Sequence, residues 1–141
     1  MFLRLFLMFL IVYSADVFSA DDGKPEIKET NVQSVLLKGG FSGIFDKNAK
    51  MFFIGQYENG NINRKVYYYE REFGNARLTK RVVIVSGNVY SGMYSVPDDP
   101  PVLKGGVLIF PNQDDGCCIS LKGEALPKEV LIDGEMLELS K

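Results

Sequence analysis

The two cysteines of the chain, Cys117 and Cys118, are adjacent and follow an acidic turn at residues 114–116. If a strand begins here, neighbouring side chains point to opposite faces, so Cys117 shares the apolar face with Ile119 and Leu121 while Cys118 lies on the other. Three states of these thiols stay open: two unpaired thiols, a strained disulfide between neighbours, or a bond to another chain. The nearby carboxylates disfavour a thiolate, so no redox role is expected.

The chain contains no histidine, which removes the side chain that most often transfers protons near neutral pH. It also removes the histidine-assisted Ser and Cys nucleophiles and the nitrogen ligands of zinc sites. The glycine-rich run at 39–43 lacks the Lys-Ser/Thr ending of a phosphate-binding loop. The polar run at 112–116 fails the alternating acidic pattern of a calcium loop. The sequence therefore predicts no enzyme, no cofactor and no metal site.

A mixed basic and aromatic segment runs from Arg64 to Arg71 and contains three consecutive tyrosines. Such a segment could stack on single-stranded nucleic acid. However, Glu70 and Glu72 dilute its charge and the whole chain carries a net charge of −2, whereas a nucleic-acid surface is basic. No nucleic-acid partner is expected.

The residues with the composition of a protein-binding surface are Tyr90, Met93 and Tyr94, with Asp98 and Asp99 in the proline-rich loop that follows. Tyrosine is a frequent anchor of interfaces, and prolines lower the entropic cost of ordering a loop. These five residues are the predicted contact site for another protein. The alternative is that both tyrosines pack on the wall of the β domain.

The segment Ser91-Gly92-Met93-Tyr94 resembles the Ser-Gly-x-x-Tyr loop of envelope lysozyme inhibitors. It is one residue shorter than that loop and lacks its basic residue. The early Tyr-x-Cys of that family is also missing, so the sequence is not assigned to the family.

Short apolar runs, rich in β-branched and aromatic residues and separated by turn residues, follow one another from Val35 onward. This pattern is typical of an antiparallel all-β domain. The expected fold is a small antiparallel β-barrel or sandwich, with an OB-like Greek key as one possibility for the strands from Val82 to Leu139. The runs expected to be strands are 35–37, 51–57, 66–73, 81–86, 89–90, 107–110, 117–121 and 130–132.

Two glycine-containing pairs predict the turns between strands. Asp133-Gly134 lies between two apolar runs and predicts a two-residue hairpin, because this pair tolerates the positive φ angles of a type I′ turn. Asn59-Gly60 has a longer polar surround and predicts a wider loop. The three prolines between Val96 and Pro101 exclude a central strand there.

The first twenty residues differ from the rest of the chain. One basic residue, Arg4, precedes an apolar run from Leu5 to Tyr13 that is too short to cross a membrane, and small residues follow it. We interpret residues 1–20 as a signal peptide, with an uncleaved anchor helix as the alternative. Residues 21–34 are expected to be a polar leader, and residues 35–141 a single β domain with no integral membrane span.

Together these features predict an exported, periplasmic or secreted protein that binds rather than reacts. Its expected partner is another protein, with this chain acting as an inhibitor or immunity-type protein. Two alternatives stay open: an OB-like binder of small ligands or oligosaccharides, and an accessory component of an envelope assembly joined through an edge strand.

Overall fold

The structure, a computed structural model, describes residues 29–97, 99–111 and 118–141. The expected signal peptide, the first part of the expected leader, Asp98 and Cys117 lie outside the described residues. The described elements are α1 (Glu29–Lys38), β1 (Ala49–Asn59), β2 (Ile62–Glu72), β3 (Leu78–Ser86), β4 (Val89–Ser95), β5 (Val102–Lys104), β6 (Val107–Ile109), β7 (Cys118–Ser120), β8 (Glu129–Ile132) and β9 (Glu135–Glu138).

The centre of the fold is an antiparallel four-stranded sheet with the order β1-β2-β3-β4. The prediction of antiparallel β structure is confirmed. The turn between β1 and β2 is tight, because Asn59 pairs with Ile62 and Gly60 adopts a φ of 58°. The wider loop expected there is therefore wrong; glycine supplies the positive φ that allows a two-residue connection.

Along β2, β3 and β4 both faces of this sheet are buried, each under a different layer. Along β2, Tyr67 and Tyr69 point to one face, whereas Val66 and Tyr68 point to the other. This is the period of two that a strand imposes. We call the two sets of buried residues the helix-side core (Val32, Leu36, Phe41, Tyr67, Tyr69, Val83, Val85, Tyr90 and Met93) and the C-terminal core (Val66, Tyr68, Val82, Ile84, Tyr94, Val96, Leu108, Phe110, Ile119, Leu121, Leu126, Val130, Ile132 and Leu137).

Helix α1 covers the helix-side core and corrects two expectations from the sequence. Val35, Leu36 and Leu37 were expected to form a strand and are helical, and residues 29–34 of the expected leader belong to the same helix. Val32 and Leu36 are four residues apart, so they lie on one helix face and pack on the sheet. A helix of ten residues is marginal alone, so this packing is what stabilises it.

The end of α1 is a Schellman motif, in which backbone N–H groups beyond the helix bond back to its last carbonyls. Phe41 N–H donates to Leu36 O at 2.9 Å and Gly40 N–H donates to Leu37 O at 3.2 Å. Gly40 has a φ of 90°, a left-handed conformation that glycine adopts without a Cβ clash. The motif turns Phe41 back onto the helix-side core.

The C-terminal core is covered by a three-stranded sheet, β5-β6-β7, and by the hairpin of β8 and β9. Asp133 and Gly134 have φ angles of 49° and 75°, so the predicted two-residue hairpin is confirmed. The described strands form no closed barrel. The OB-like Greek key is wrong, because the strands after Val82 are divided among three sheets and the central sheet is a simple meander.

Arg64 is buried where β2 meets the segment that follows β7. Its guanidinium donates to the carbonyl oxygens of Leu121, Gly123 (2.7 Å) and Glu124 (2.7 Å). These bonds tie the C-terminal layer to the central sheet. In the described part of the chain, no helix has both the length and the apolar character that crossing a membrane requires.

Candidate functional site

The residues that the sequence predicts as a protein contact do not form one exposed surface. Tyr90 and Met93 are buried in the helix-side core, and Tyr94 is buried in the C-terminal core, where its hydroxyl donates to Pro127 O. Their division between two faces follows from β4, in which a bulge shifts the pairing register opposite Ile84 and Val85. The packing alternative is the arrangement found, so these side chains offer no accessible contact area in the folded protein.

Asp99 is the remaining predicted contact residue that the structure describes. It is exposed, and its Oδ1 lies 3.5 Å from Lys80 Nζ. An exposed pair at this separation contributes little stability. Asp98 lies outside the described residues. Whether this loop takes part in binding stays a prediction.

Cys118 is disulfide-bonded, and no described cysteine is free. The unpaired state that the sequence left open therefore does not apply to Cys118, while Cys117 lies outside the described residues. Ile119 and Leu121 are buried and Cys118 is half-buried, as the predicted alternation of this strand requires.

A small pocket with two arginines opens on the helix side, at the end of the sheet farthest from the β1–β2 turn. The register of β2 and β3 places Tyr69 opposite Arg81 and Arg71 opposite Thr79. Residues two apart on a strand share a face, so all four side chains line one surface. We call this the arginine pocket; its lining is Ser42, Gly43, Ile44, Tyr69, Arg71, Phe73, Thr79 and Arg81, and its volume is about 50 Å³.

The wall of the arginine pocket is the loop between α1 and β1, which Tyr69 holds in place. The Tyr69 hydroxyl accepts a hydrogen bond from Ile44 N–H at 3.0 Å and donates one to Ile44 O. Phe41 and Phe45 stack edge-on against the Tyr69 ring at 5.3 and 5.7 Å. Such edge-to-face pairs are favourable and directional, so they fix the loop over the sheet.

Arg71 is already paired within the pocket. Its Nη2 lies 2.7 Å from Asp46 Oδ2 and its Nε lies 3.3 Å from Asp46 Oδ1, a two-pronged contact between the guanidinium and the carboxylate. The hydrogen bond to Arg71 lowers the pKa of the Asp46 carboxyl. The charges of Arg71 and Asp46 therefore cancel at neutral pH.

Arg81 has few partners within the described residues. Its Nη1 donates to Ser42 Oγ at 3.3 Å, and its Cζ lies 5.8 Å from the Phe41 ring centre and 5.9 Å from that of Tyr69. Its Nε is buried without a hydrogen-bond partner. Among the described residues no carboxylate forms an ion pair with it.

The electrostatics of the pocket are set by burial and by these cations. Burial raises the pKa of Tyr69, while the Ile44 N–H and the positive charges of Arg71 and Arg81 oppose the rise. Tyr69 is thus a neutral hydrogen-bonding group at physiological pH. With Arg71 neutralised by Asp46, the pocket carries one net positive charge, that of Arg81.

The rim of the arginine pocket is apolar and accessible. Ile44 is 55% exposed and Phe73 is 43% exposed, and the Arg71 guanidinium lies 4.9 Å from the Phe73 ring centre. A pocket that combines the positive charge of Arg81 with an apolar rim is suited to bind an anionic group that is joined to an apolar stem.

The sequence contains a signal for this site that composition alone does not reveal. Tyr69-x-Arg71 places two polar side chains on one face of the predicted strand 66–73, and Thr79-x-Arg81 has the same spacing just before the predicted strand 81–86. The basic segment from Arg64 to Arg71 is not one surface, because Arg64 and Arg71 lie on opposite faces of the sheet.

The chain was compared with protein-family models, with curated proteins and with solved structures, and none of the three comparisons gives a match.

Proposed function

We propose that the protein is an exported, non-enzymatic binding protein that contacts another protein through the arginine pocket and its rim. The observation that carries this proposal is the pair of exposed apolar side chains, Ile44 and Phe73, beside Arg71 and Arg81. Aromatic residues and arginine are enriched at protein interfaces, and they supply most of the binding energy where they cluster.

The chemistry of the pocket favours binding over catalysis. A hydrolytic site needs a nucleophile with an adjacent base, or two carboxyl groups with different proton affinities. The one carboxylate bonded at this pocket is that of Asp46, and it is neutralised by Arg71. The side chains of the pocket can hold an anion but have no base with which to activate water.

The fixed shape of the pocket supports the inhibitor or immunity-type role. Tyr69 holds the loop at Ile44 through two hydrogen bonds, and Phe41 and Phe45 of the same loop pack edge-on against the Tyr69 ring. A preformed surface loses little entropy when a partner docks. We therefore propose a partner that docks on this end of the sheet without rearranging it, in the periplasm or outside the cell.

The test is capture of a partner from the envelope fraction of the native cell by the full-length protein with a C-terminal affinity tag. We expect a stoichiometric protein partner that is retained by wild type and lost from the double variant Ile44→Ser, Phe73→Ser. Leu131→Ser is the matched control, because Leu131 is equally exposed but lies on β8 in the other layer.

Two outcomes contradict the proposal. One is a partner that the double variant binds as well as wild type does. The other is loss of the partner in Phe52→Ser alone, which would place the contact at the edge strand β1 and support the role of an accessory component of an assembly.

A further inference from the structure

We propose that the arginine pocket binds the carboxylate of an acidic side chain, Asp or Glu, presented by the partner protein, with Arg81 as the group that recognises it. This inference rests on the proposed function, because it names the chemical group that the same site recognises.

The first argument is the unused hydrogen-bonding capacity of Arg81. A guanidinium has five N–H donors, yet the described residues supply one long bond, to Ser42 Oγ, and leave the buried Nε without an acceptor. A buried donor without a partner is costly, and few such groups occur in native proteins. The N–H groups of Arg81 that are not bonded to Ser42 can donate to an acceptor that enters the pocket.

The second argument identifies the acceptor as a carboxylate. A guanidinium presents two parallel N–H groups that match the two oxygens of a carboxylate. The pocket holds one net positive charge after Arg71 and Asp46 cancel, which suits a single negative charge better than the nearly double charge of a phosphate. Its volume of about 50 Å³ has room for a few small atoms only.

The third argument identifies a protein side chain as the source of the carboxylate. Chain termini are commonly captured by nests of backbone N–H groups, whereas the Ile44 N–H in this wall is already bonded to Tyr69. The side-chain donors of the pocket that have no carboxylate partner among the described residues are those of Arg81, Ser42 and Thr79. The exposed side chains of Ile44 and Phe73 line the same pocket, so they can contact the methylene groups of an Asp or Glu side chain.

The test is a titration of the full-length protein, followed through the side-chain NMR signals of its arginines. The main probe is N-acetyl-glutamate amide, which carries a side-chain carboxylate. N-acetyl-glutamine amide replaces that carboxylate with a neutral group of the same shape, N-acetyl-glycine carries a terminal carboxylate, and inorganic phosphate carries the higher charge. All are compared at equal ionic strength.

We expect the glutamate probe to shift the Arg81 Nε–H signal with a dissociation constant on the order of 1 mM, and the glutamine probe to leave it unchanged. Arg81→Lys keeps the positive charge but loses the two parallel N–H donors of the guanidinium, so we expect binding about tenfold weaker. In this variant the titration is followed through the Arg71 Nε–H signal, because Arg71 lines the same pocket. Arg77→Lys is the matched control, because Arg77 is exposed in the loop between β2 and β3, and it should bind as wild type does.

Three results overturn the inference. The glutamine probe could bind equally well, Arg81→Lys could bind as wild type does, or either phosphate or the terminal carboxylate could bind more tightly than the glutamate probe. The failure of the inference and that of the proposed function are distinguishable. If Arg81→Gln still captures the partner and the double variant Ile44→Ser, Phe73→Ser does not, the carboxylate inference is refuted and the proposed function stands. If the glutamate probe binds but no partner is captured, the proposed function is refuted and the carboxylate inference stands.

Discussion

Two arginines of the central sheet show how the same side chain can serve stability or recognition. Arg64 is buried and donates hydrogen bonds to three carbonyl oxygens, whereas Arg81 is half-buried and its Nε has no partner among the described residues. The difference follows from what lies opposite each guanidinium. A chain segment with free carbonyls faces Arg64, and an aromatic wall faces Arg81.

We expect Arg64→Met to lower the free energy of unfolding by roughly 2–4 kcal/mol. The substitution keeps much of the apolar stem but leaves the carbonyls of Leu121, Gly123 and Glu124 without their donor. Urea unfolding followed by circular dichroism measures the change. Arg77→Met, at an exposed position, should stay within about 0.5 kcal/mol of wild type, and equal losses in both variants would refute the structural role of Arg64.

At the scale of elements, α1 is the part that the sequence pattern did not reveal. Its apolar residues form a short run, Val35 to Leu37, that also fits a strand, and its N-terminal half is polar. The segment is helical and not a strand because of the surface on which it packs. Val32 and Leu36 meet the helix-side core, and the Schellman motif at Gly40 directs Phe41 onto the same core.

We expect Leu36→Ala to lower the free energy of unfolding by about 2–5 kcal/mol, because it leaves a cavity between helix and sheet. Leu36 is 0% exposed, whereas its neighbour Leu37 is 56% exposed. Leu37→Ala is therefore the control, with an expected change below about 0.5 kcal/mol. The two unfolding curves, measured in urea, should separate clearly; if they coincide, α1 does not pack as the structure describes.

At the scale of the whole molecule, the central sheet is buried on both sides and carries tyrosines into both cores. Burial raises the pKa of Tyr94 to about 12 in the C-terminal core, with the nearby charge of Arg64 opposing the rise. Burial also raises the pKa of Tyr67, Tyr69 and Tyr90 in the helix-side core. Both cores are thus formed with neutral phenols.

These shifts predict a loss of stability in alkaline solution. A tyrosine whose pKa is higher in the folded than in the unfolded state holds its proton more tightly when folded, so its contribution is complete below pH 10 and is lost as pH rises towards 12. Tyr94 alone should account for roughly 2–3 kcal/mol of that loss. Urea midpoints measured between pH 8 and 11.5 test this. The variant Tyr94→Phe should lose less stability over the same interval; an identical slope would contradict the prediction.

Most strands and the hairpin turn at Asp133-Gly134 were accessible from the sequence because their causes are local, whereas the expected strand 35–37 and the wider loop at Asn59-Gly60 were wrong. β-branched and aromatic runs between glycine-containing turns predict strands, and Asp133-Gly134 specifies its own hairpin through the φ angles that these residues tolerate. The buried tyrosines of β4 were not accessible in the same way. Tyr90 and Tyr94 have the composition of an interface, and only the two covering layers determine that both are buried.

The sequence by itself determined an antiparallel β protein without histidine, with its strands and hairpin close to where they are found. Only the tertiary structure decided that the central sheet is covered on both faces, that residues 29–38 are helical, and that Arg71 and Arg81 line one pocket with Ile44 and Phe73. The physical reason is the separation along the chain of the residues that interact. Strand alternation and turn geometry are fixed by residues a few positions apart, whereas burial and pocket formation depend on segments far apart in the chain that meet only when the layers pack.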